Sequence, residues 1–292
     1  EWLVTNGLGG YASSTALDIN TRKYHGFLIA AFNPPVDRRV LLTKLDEEIR
    51  IENKTYSIGS NEFKHGTSPE GYRFLGDFSL APIPTYRYLV HGVQLEKTIF
   101  MPHGKNATIV TYEILNSQED KVTIRVSPLV NSRHFHLVTD KDNLAWNFIQ
   151  KPFEKGVTIQ PSIPLSTLII SSSNGQYFAG EGRWIEDFYF RVDASRGESC
   201  LDDCFQPGWF ELSVAPKERQ KFYVLAAAGK SEKEALSLFS SIHEGDIDTL
   251  YIQELERRKS LLKSFQERYT GVEIEDWLKW LILAVDSFLV NR

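Results

Sequence analysis

Three sets of residues in this chain have types and spacings that could do chemistry. Acidic residues cluster as Asp46-Glu47-Glu48, Glu186-Asp187 and Asp202-Asp203, and paired carboxylates are common general acids and bases. Neighbours on an extended strand point to opposite faces, however, so solvation or packing is the plainer reading of each adjacent pair. His134 and His136 would share one strand face and could move a proton together, but two imidazoles lack the third ligand that a metal needs. His25, His91 and His103 are further imidazoles in the same part of the chain. The densest set opens the sequence: Trp2, then Asn6, Gly7, Gly9, Gly10 and Tyr11, then Arg22, Lys23, Tyr24 and His25.

The glycine cluster Asn6 to Gly10 allows a sharp turn or a close backbone approach. A phosphate cradle is excluded, because neither GxGxxG nor GxxxxGK[ST] is present. Two readings remain open: a turn followed by a strand with solvated cations, and a polar surface that meets a ligand or a partner domain. The packing of Arg, Lys, Tyr and His into four residues favours the second. Trp2, Tyr11 and Tyr24 stand beside that motif, and they lead a wider set of aromatic candidates with Tyr72, Tyr86, Trp146, Trp184 and Trp209. In a β-rich protein such rings are more often core than ligand platform.

The elements that must position these residues are mostly strands. From Ile19 to about Leu225 short alternating runs rich in Val, Ile, Thr, Tyr and Phe are broken by turn residues, which predicts a large antiparallel β-sandwich. Thr108 to Leu115 and Lys121 to Ser127 read as a hairpin across the turn at 116–120. At Ser231 the period changes: Ser231 and Glu234 form a capping box, and a helix follows to about His243. A second, amphipathic helix is expected from Gly245-Asp246 to Tyr269, ended by Thr270-Gly271. Ile274 to Leu289 reads as a third, apolar on several faces, so it expects neighbours on more than one side.

With 292 residues, 42% of them hydrophobic, the chain has ample material for a core. A net charge of -5 leaves no basic footprint for nucleic acid, and no run approaches the roughly 18 apolar residues of a membrane span. Cys200 and Cys204 are too few for a disulfide framework. Free thiols, with a local disulfide as the alternative, a reducing compartment and a cytoplasmic location are expected.

The run E-W-L-x-T-N-G-L-G-G-Y-A-S followed by R-K-Y-H-G resembles the N-terminal domain of glycogen debranching enzymes of bacterial and archaeal type, the amylo-α-1,6-glucosidases. Later segments fit the same pattern: Pro35, Arg38 and Lys44 to Glu47; Lys97 to Met101; Asn106 to Thr108; Pro128 to Asn131 with Arg133, Phe135 and His136; and Arg196-Gly197 with Pro207 to Phe210. Ile185 and Asp202-Asp203 depart from it, where an aromatic and a Glu-Asp pair are expected.

The resemblance implies a galactose mutarotase-like antiparallel β-supersandwich over residues 1–229, a helical linker over 230–270, and the first helix of an (α/α)6 catalytic barrel over 271–292. It implies hydrolysis of α-1,6 branch points of glycogen by the whole protein, with or without 4-α-glucanotransferase activity. The catalytic carboxylates would lie in the barrel and none in this chain. Expected partners are glycogen or a related α-glucan and the barrel of the same polypeptide. Neither cofactor nor metal is expected. Trp2, Asn6, Gly7, Gly9, Gly10, Tyr11, Arg22, Lys23, Tyr24 and His25 are the candidates for glucan contact or for the domain interface. A purely structural scaffold and a sugar mutarotase, working through histidine and glutamate, are the alternatives.

Overall fold

The computed structural model describes residues 1–80, 82–163, 165–268 and 276–290. The chain begins with β1 (Trp2–Thr5), β2 (Tyr11–Ser14), β3 (Gly26–Asn33), β4 (Val36–Ile51), β5 (Lys54–Ser57) and β6 (Ser60–Phe63). It continues through β7 (Gly66–Glu70), β8 (Leu75–Ser79), β9 (Thr85–Val90), β10 (Val93–Phe100), β11 (Ala107–Asn116) and β12 (Val122–His134). Then come β13 (Phe148–Phe153), β14 (Gly156–Pro161), β15 (Thr167–Ser172), β16 (Gln176–Tyr189), the short α1 (Arg191–Ser195), β17 (Leu201–Val214) and β18 (Arg219–Gly229). Three helices close it: α2 (Glu232–His243), α3 (Ile247–Arg268) and α4 (Asp276–Asp286).

The strands form the two stacked antiparallel sheets of a β-supersandwich. The larger has the order β1-β2-β3-β4-β12-β17-β16-β6-β7 with β5 beside β4, and the smaller the order β13-β14-β15-β18-β11-β10-β9-β8. Period-two alternation decides which side chains meet between them. Leu45 and Ile49 of β4, Ile124 and Val126 of β12, and Phe210 and Leu212 of β17 join Tyr86, Leu95, Val110 and Tyr112 of the smaller sheet in one core.

The smaller sheet is covered on its outer face as well. Phe100, Ile109, Leu225 and Ala227 pack there against Ile242 and Ile247, with Leu238, Phe239 and Leu255 beside them. Burial on both faces explains the apolar run Phe222 to Ala228 of β18. Among the described residues no helix covers the outer face of the larger sheet in this way, and its residues Asp46, Glu48, Arg125 and Trp209 are partly exposed.

The hairpin read across 116–120 does not form. β11 pairs with β10 and β18, whereas β12 pairs with β4 and β17, so the segment between them crosses from one sheet to the other. Alternation looks the same for a hairpin as for two strands facing each other across a core. Asn116 fixes the crossing by donating from Nδ2 to the carbonyls of Asp120 (2.8 Å) and Ala215 (3.0 Å). β12 also stops at His134, and the chain turns there with Leu137 N donating to His134 O, so His136 is not on the strand face that the i, i+2 spacing implied.

The cap at Ser231 forms, its hydroxyl accepting from Glu234 N at 3.2 Å, while Glu234 reaches Lys230 N at 2.9 Å. Tyr269, the stop at Thr270-Gly271, Ile274 and the boundary at 270/271 lie outside the described residues. In α4 and just beyond it Trp277, Val285 and Phe288 are exposed, Phe288 at 81%.

Candidate functional site

The glycines of the opening motif build a turn around Asn6. Its Oδ1 accepts from Leu8 N (2.9 Å) and Gly10 N (3.0 Å), and its Nδ2 donates to Lys105 O and Asn106 Oδ1, each at 3.0 Å. Asn106 in turn clasps the backbone of Ala31 through both side-chain atoms, 3.1 and 2.8 Å. Gly7 and Gly9 carry positive φ (75° and 91°), and a Cβ on Gly7 would strike the His103 ring at 2.3 Å. Gly10 packs against Asn6 Nδ2 and Ile29 O so closely that a Cβ would stand 2.6 and 2.9 Å away. Asn6 thereby spends its hydrogen-bonding capacity inside the fold, and the motif locks the edge of the larger sheet to the 104–106 turn.

Trp2 is 2% exposed and tilts against Phe27 in the core, with Nε1 donating to Tyr86 OH. His25 is equally buried: Nδ1 accepts from Thr21 N at 3.1 Å, and burial lowers its pKa to about 4, partly opposed by Glu1 and reinforced by Arg22. Its imidazole is therefore neutral at pH 7. Arg22 donates from Nε to Glu1 Oε1 at 2.7 Å. Lys23 is buried, and its Nζ meets Glu198 Oε2 at 2.6 Å, the bond that chiefly raises its pKa.

Tyr24 remains at the surface, and its neighbours come from far along the chain. Its hydroxyl lies 3.1 Å from His136 Nδ1, and its ring meets Phe135 and His136 edge-on, with centroids 5.6 and 5.5 Å apart. Tyr11 OH donates to Tyr24 O at 3.0 Å, and burial raises the Tyr11 pKa. The Arg38 guanidinium lies 5.5 Å from the Phe135 ring centroid, and the His134 ring 5.3 Å from that of His136. Burial lowers the His134 pKa, with the nearby His136 and Arg39 adding to the effect.

This rim is held from below by Arg133. Its guanidinium donates to Asp202 Oδ2 (3.1 Å), Leu137 O (2.7 Å) and Lys23 O (2.7 Å), tying β12, the turn after it, the 22–25 loop and β17 together. Asp202 is fully buried, and burial raises its pKa against the pull of Arg133. Asp203 accepts from the backbone N-H groups of Lys141 (2.9 Å) and Asp187 (3.0 Å). Both acids of that pair thus hold backbone in place. Glu47 faces the core while Asp46 and Glu48 face outward, as strand geometry requires.

Of the ten sequence candidates, Tyr11 and Tyr24 join the rim, Arg22 pairs with Glu1, Gly7, Gly9 and Gly10 shape the turn around Asn6, and Trp2, Asn6, Lys23 and His25 are enclosed. Arg38, Phe135 and His136 complete the rim. Their family segments mark them in the sequence, but nothing local shows that they meet Tyr24, because 112 positions separate Tyr24 from His136. Among the described residues no group of three or more His, Cys, Asp or Glu is placed to hold a metal.

Several solved structures align with much of the chain at low similarity. A bacterial glucoamylase complexed with acarbose aligns at 8% identity over 86% of this chain and 33% of its own, with a TM-score of 0.42. An aldose epimerase homologue from C. elegans aligns at 10% over 78% of this chain and 98% of its own, with a TM-score of 0.43. Heparinase III aligns at 9% over 63% and 24%, with a TM-score of 0.32. The chain thus spans about a third of the glucoamylase's length. No curated protein matches it. A family model described as the glycogen debranching enzyme N terminal matches residues 1–221, so the chain belongs to the family of glycogen debranching enzyme N-terminal domains.

Proposed function

We propose that this chain is the non-catalytic supersandwich module of an enzyme that hydrolyses α-1,6 branch points of glycogen in the cytoplasm, and that its rim binds or orients glucan beside a catalytic barrel. Membership of the debranching-enzyme family over residues 1–221 carries this reading. The chemistry of the rim agrees with it. Tyr24 and Phe135 offer ring faces and edges for the C-H patches of a sugar, and the Tyr24 hydroxyl and the His136 imidazole offer adjacent polar atoms for its hydroxyls. Arg133 and Asp202 hold these groups before any ligand arrives, which lowers the ordering cost of binding. The acid and base of hydrolysis belong, on this reading, to the barrel.

The test is retention of this chain on immobilised glycogen. Tyr24→Ala and His136→Ala should each weaken retention severalfold at an unchanged melting temperature. Retention equal to that of the parent in both variants would remove the rim from the reading and leave the scaffold role.

A further inference from the structure

The outer face of the larger sheet holds a cavity of about 490 Å³, floored by β4, β12 and β17 and walled by β16 and the β6-β7 hairpin. Its volume falls within the about 300–1,000 Å³ of small-ligand pockets. It is separate from the rim: Arg38, under the Phe135 ring, and Asp46, in the cavity, are eight positions apart on β4, roughly 26 Å along an extended strand.

The floor is a row of charges set by strand register. Arg125 stands opposite Glu48 on one side and Glu211 on the other. Its NH1 lies 3.8 Å from Glu48 Oε2 and its NH2 3.5 Å from Glu211 Oε2, while its guanidinium lies 4.6 Å from the Trp209 ring centroid. Asp46 accepts from Asn61 Nδ2 at 2.6 Å and lies 3.4 Å from Lys44 Nζ. Arg183 donates to Gln206 Oε1 at 2.5 Å. Asp46, Glu48 and Glu181 outnumber Arg125 and Arg183 in the lining, and Arg125 is already held by carboxylates, so the balance of charge disfavours a phosphate or a uronic acid.

What remains is a surface of fixed polar groups beside the stacked Trp209 and Phe178 rings, whose centroids are 5.7 Å apart. Trp209 lines the cavity, and its Nε1 is buried without a hydrogen-bond partner among the described residues, which leaves a donor unmade. A hydroxyl can accept from it and donate to a neighbouring carboxylate. We propose that this cavity is a second ligand site of the chain, taking a short segment of an uncharged oligosaccharide. Trp209 meets its C-H patches, and Arg125, Glu48 and Gln206 meet its hydroxyls.

The site is tested on the whole 292-residue chain. Maltotriose, cellotriose and mannotriose are titrated calorimetrically, with trigalacturonate as the anionic counterpart, and the Trp209 indole N-H is followed by NMR, assigned through Trp209→Phe. At least one neutral trisaccharide should bind saturably and shift that indole resonance, and Arg125→Gln should weaken its binding at least tenfold. Glu48→Gln, which keeps shape and removes only charge, should weaken it severalfold. No binding by any neutral sugar, tighter binding of trigalacturonate, or a stationary Trp209 signal would overturn the site. So would binding lost in Tyr24→Ala but retained in Arg125→Gln, which would assign the sugar to the rim. Because the two sites have separate variants, either can fail while the other stands.

Discussion

His25 belongs to the motif that marks the family, yet its position makes it a structural residue with a measurable pH signature. Burial holds its pKa near 4 against an ordinary 6.5. Between those values the unfolded chain binds a proton that the folded chain refuses, so stability falls as pH drops through this window and recovers as it rises. A depression of this size corresponds to on the order of 3 kcal/mol once pH reaches 4. Asp202 and Glu47 have raised pKa values because burial penalises their charge, and raised carboxylates act with the opposite sign, favouring the fold at lower pH. Comparison of the parent with His25→Gln isolates the imidazole. Urea midpoints at pH 7 and pH 4.5 should fall further apart in the parent than in the variant, and equal differences would show that the imidazole titrates freely. Polarity alone cannot separate an enclosed Lys23 or His25 from a half-buried Tyr24. The difference depends on Glu198, Asp193 and Arg133, all more than a hundred positions away.

At the scale of elements, local signals were legible and pairings were not. Ser231 announces α2 because a cap is an interaction over three residues, and the structure places that hydroxyl on Glu234 N. Ser231→Ala should cost about 1 kcal/mol without changing the urea slope; no loss would mean that packing of Ala235 and Ile242 holds the helix unaided. The alternation of β11 and β12 likewise predicted strands, but not that they lie in different sheets, since the partners of each strand come from distant sequence. The same limit hid the cavity. Asp46, Glu48 and Trp209 were visible as acids and an aromatic, whereas Arg125 gains meaning only from standing in register between Glu48 and Glu211. The outward set of β4 was foreseeable in kind, because in Asp46-Glu47-Glu48 the middle residue must face away from its neighbours.

Glu47 connects that strand to the whole molecule. Between the two sheets its carboxylate lies 2.7 Å from Lys97 Nζ, which also lies 2.9 Å from Asp18, and all three side chains are completely buried. Tyr112 OH donates to the same Glu47 oxygen at 2.6 Å, and the ammonium lies 4.8 Å from the Phe27 ring centroid. The two carboxylates raise the Lys97 pKa although burial alone would lower it. One cation therefore links the loop before β3, the long strand β4 and the smaller sheet, and it holds the middle of the segment whose other face floors the cavity. Removing one member of such a cluster is costly, whereas removing all the charge together is not. Lys97→Met, which strands Asp18 and Glu47 against each other, should destabilise the fold by about 3–5 kcal/mol. The combination Lys97→Met, Asp18→Asn and Glu47→Gln keeps similar shapes with no net charge, and Asn tolerates the positive φ of 55° at position 18. It should recover at least half of that loss in urea unfolding at pH 7. If the single variant costs less than about 1 kcal/mol, or the combination is worse than the single, the sheets are joined by apolar packing and the buried charges are incidental to it.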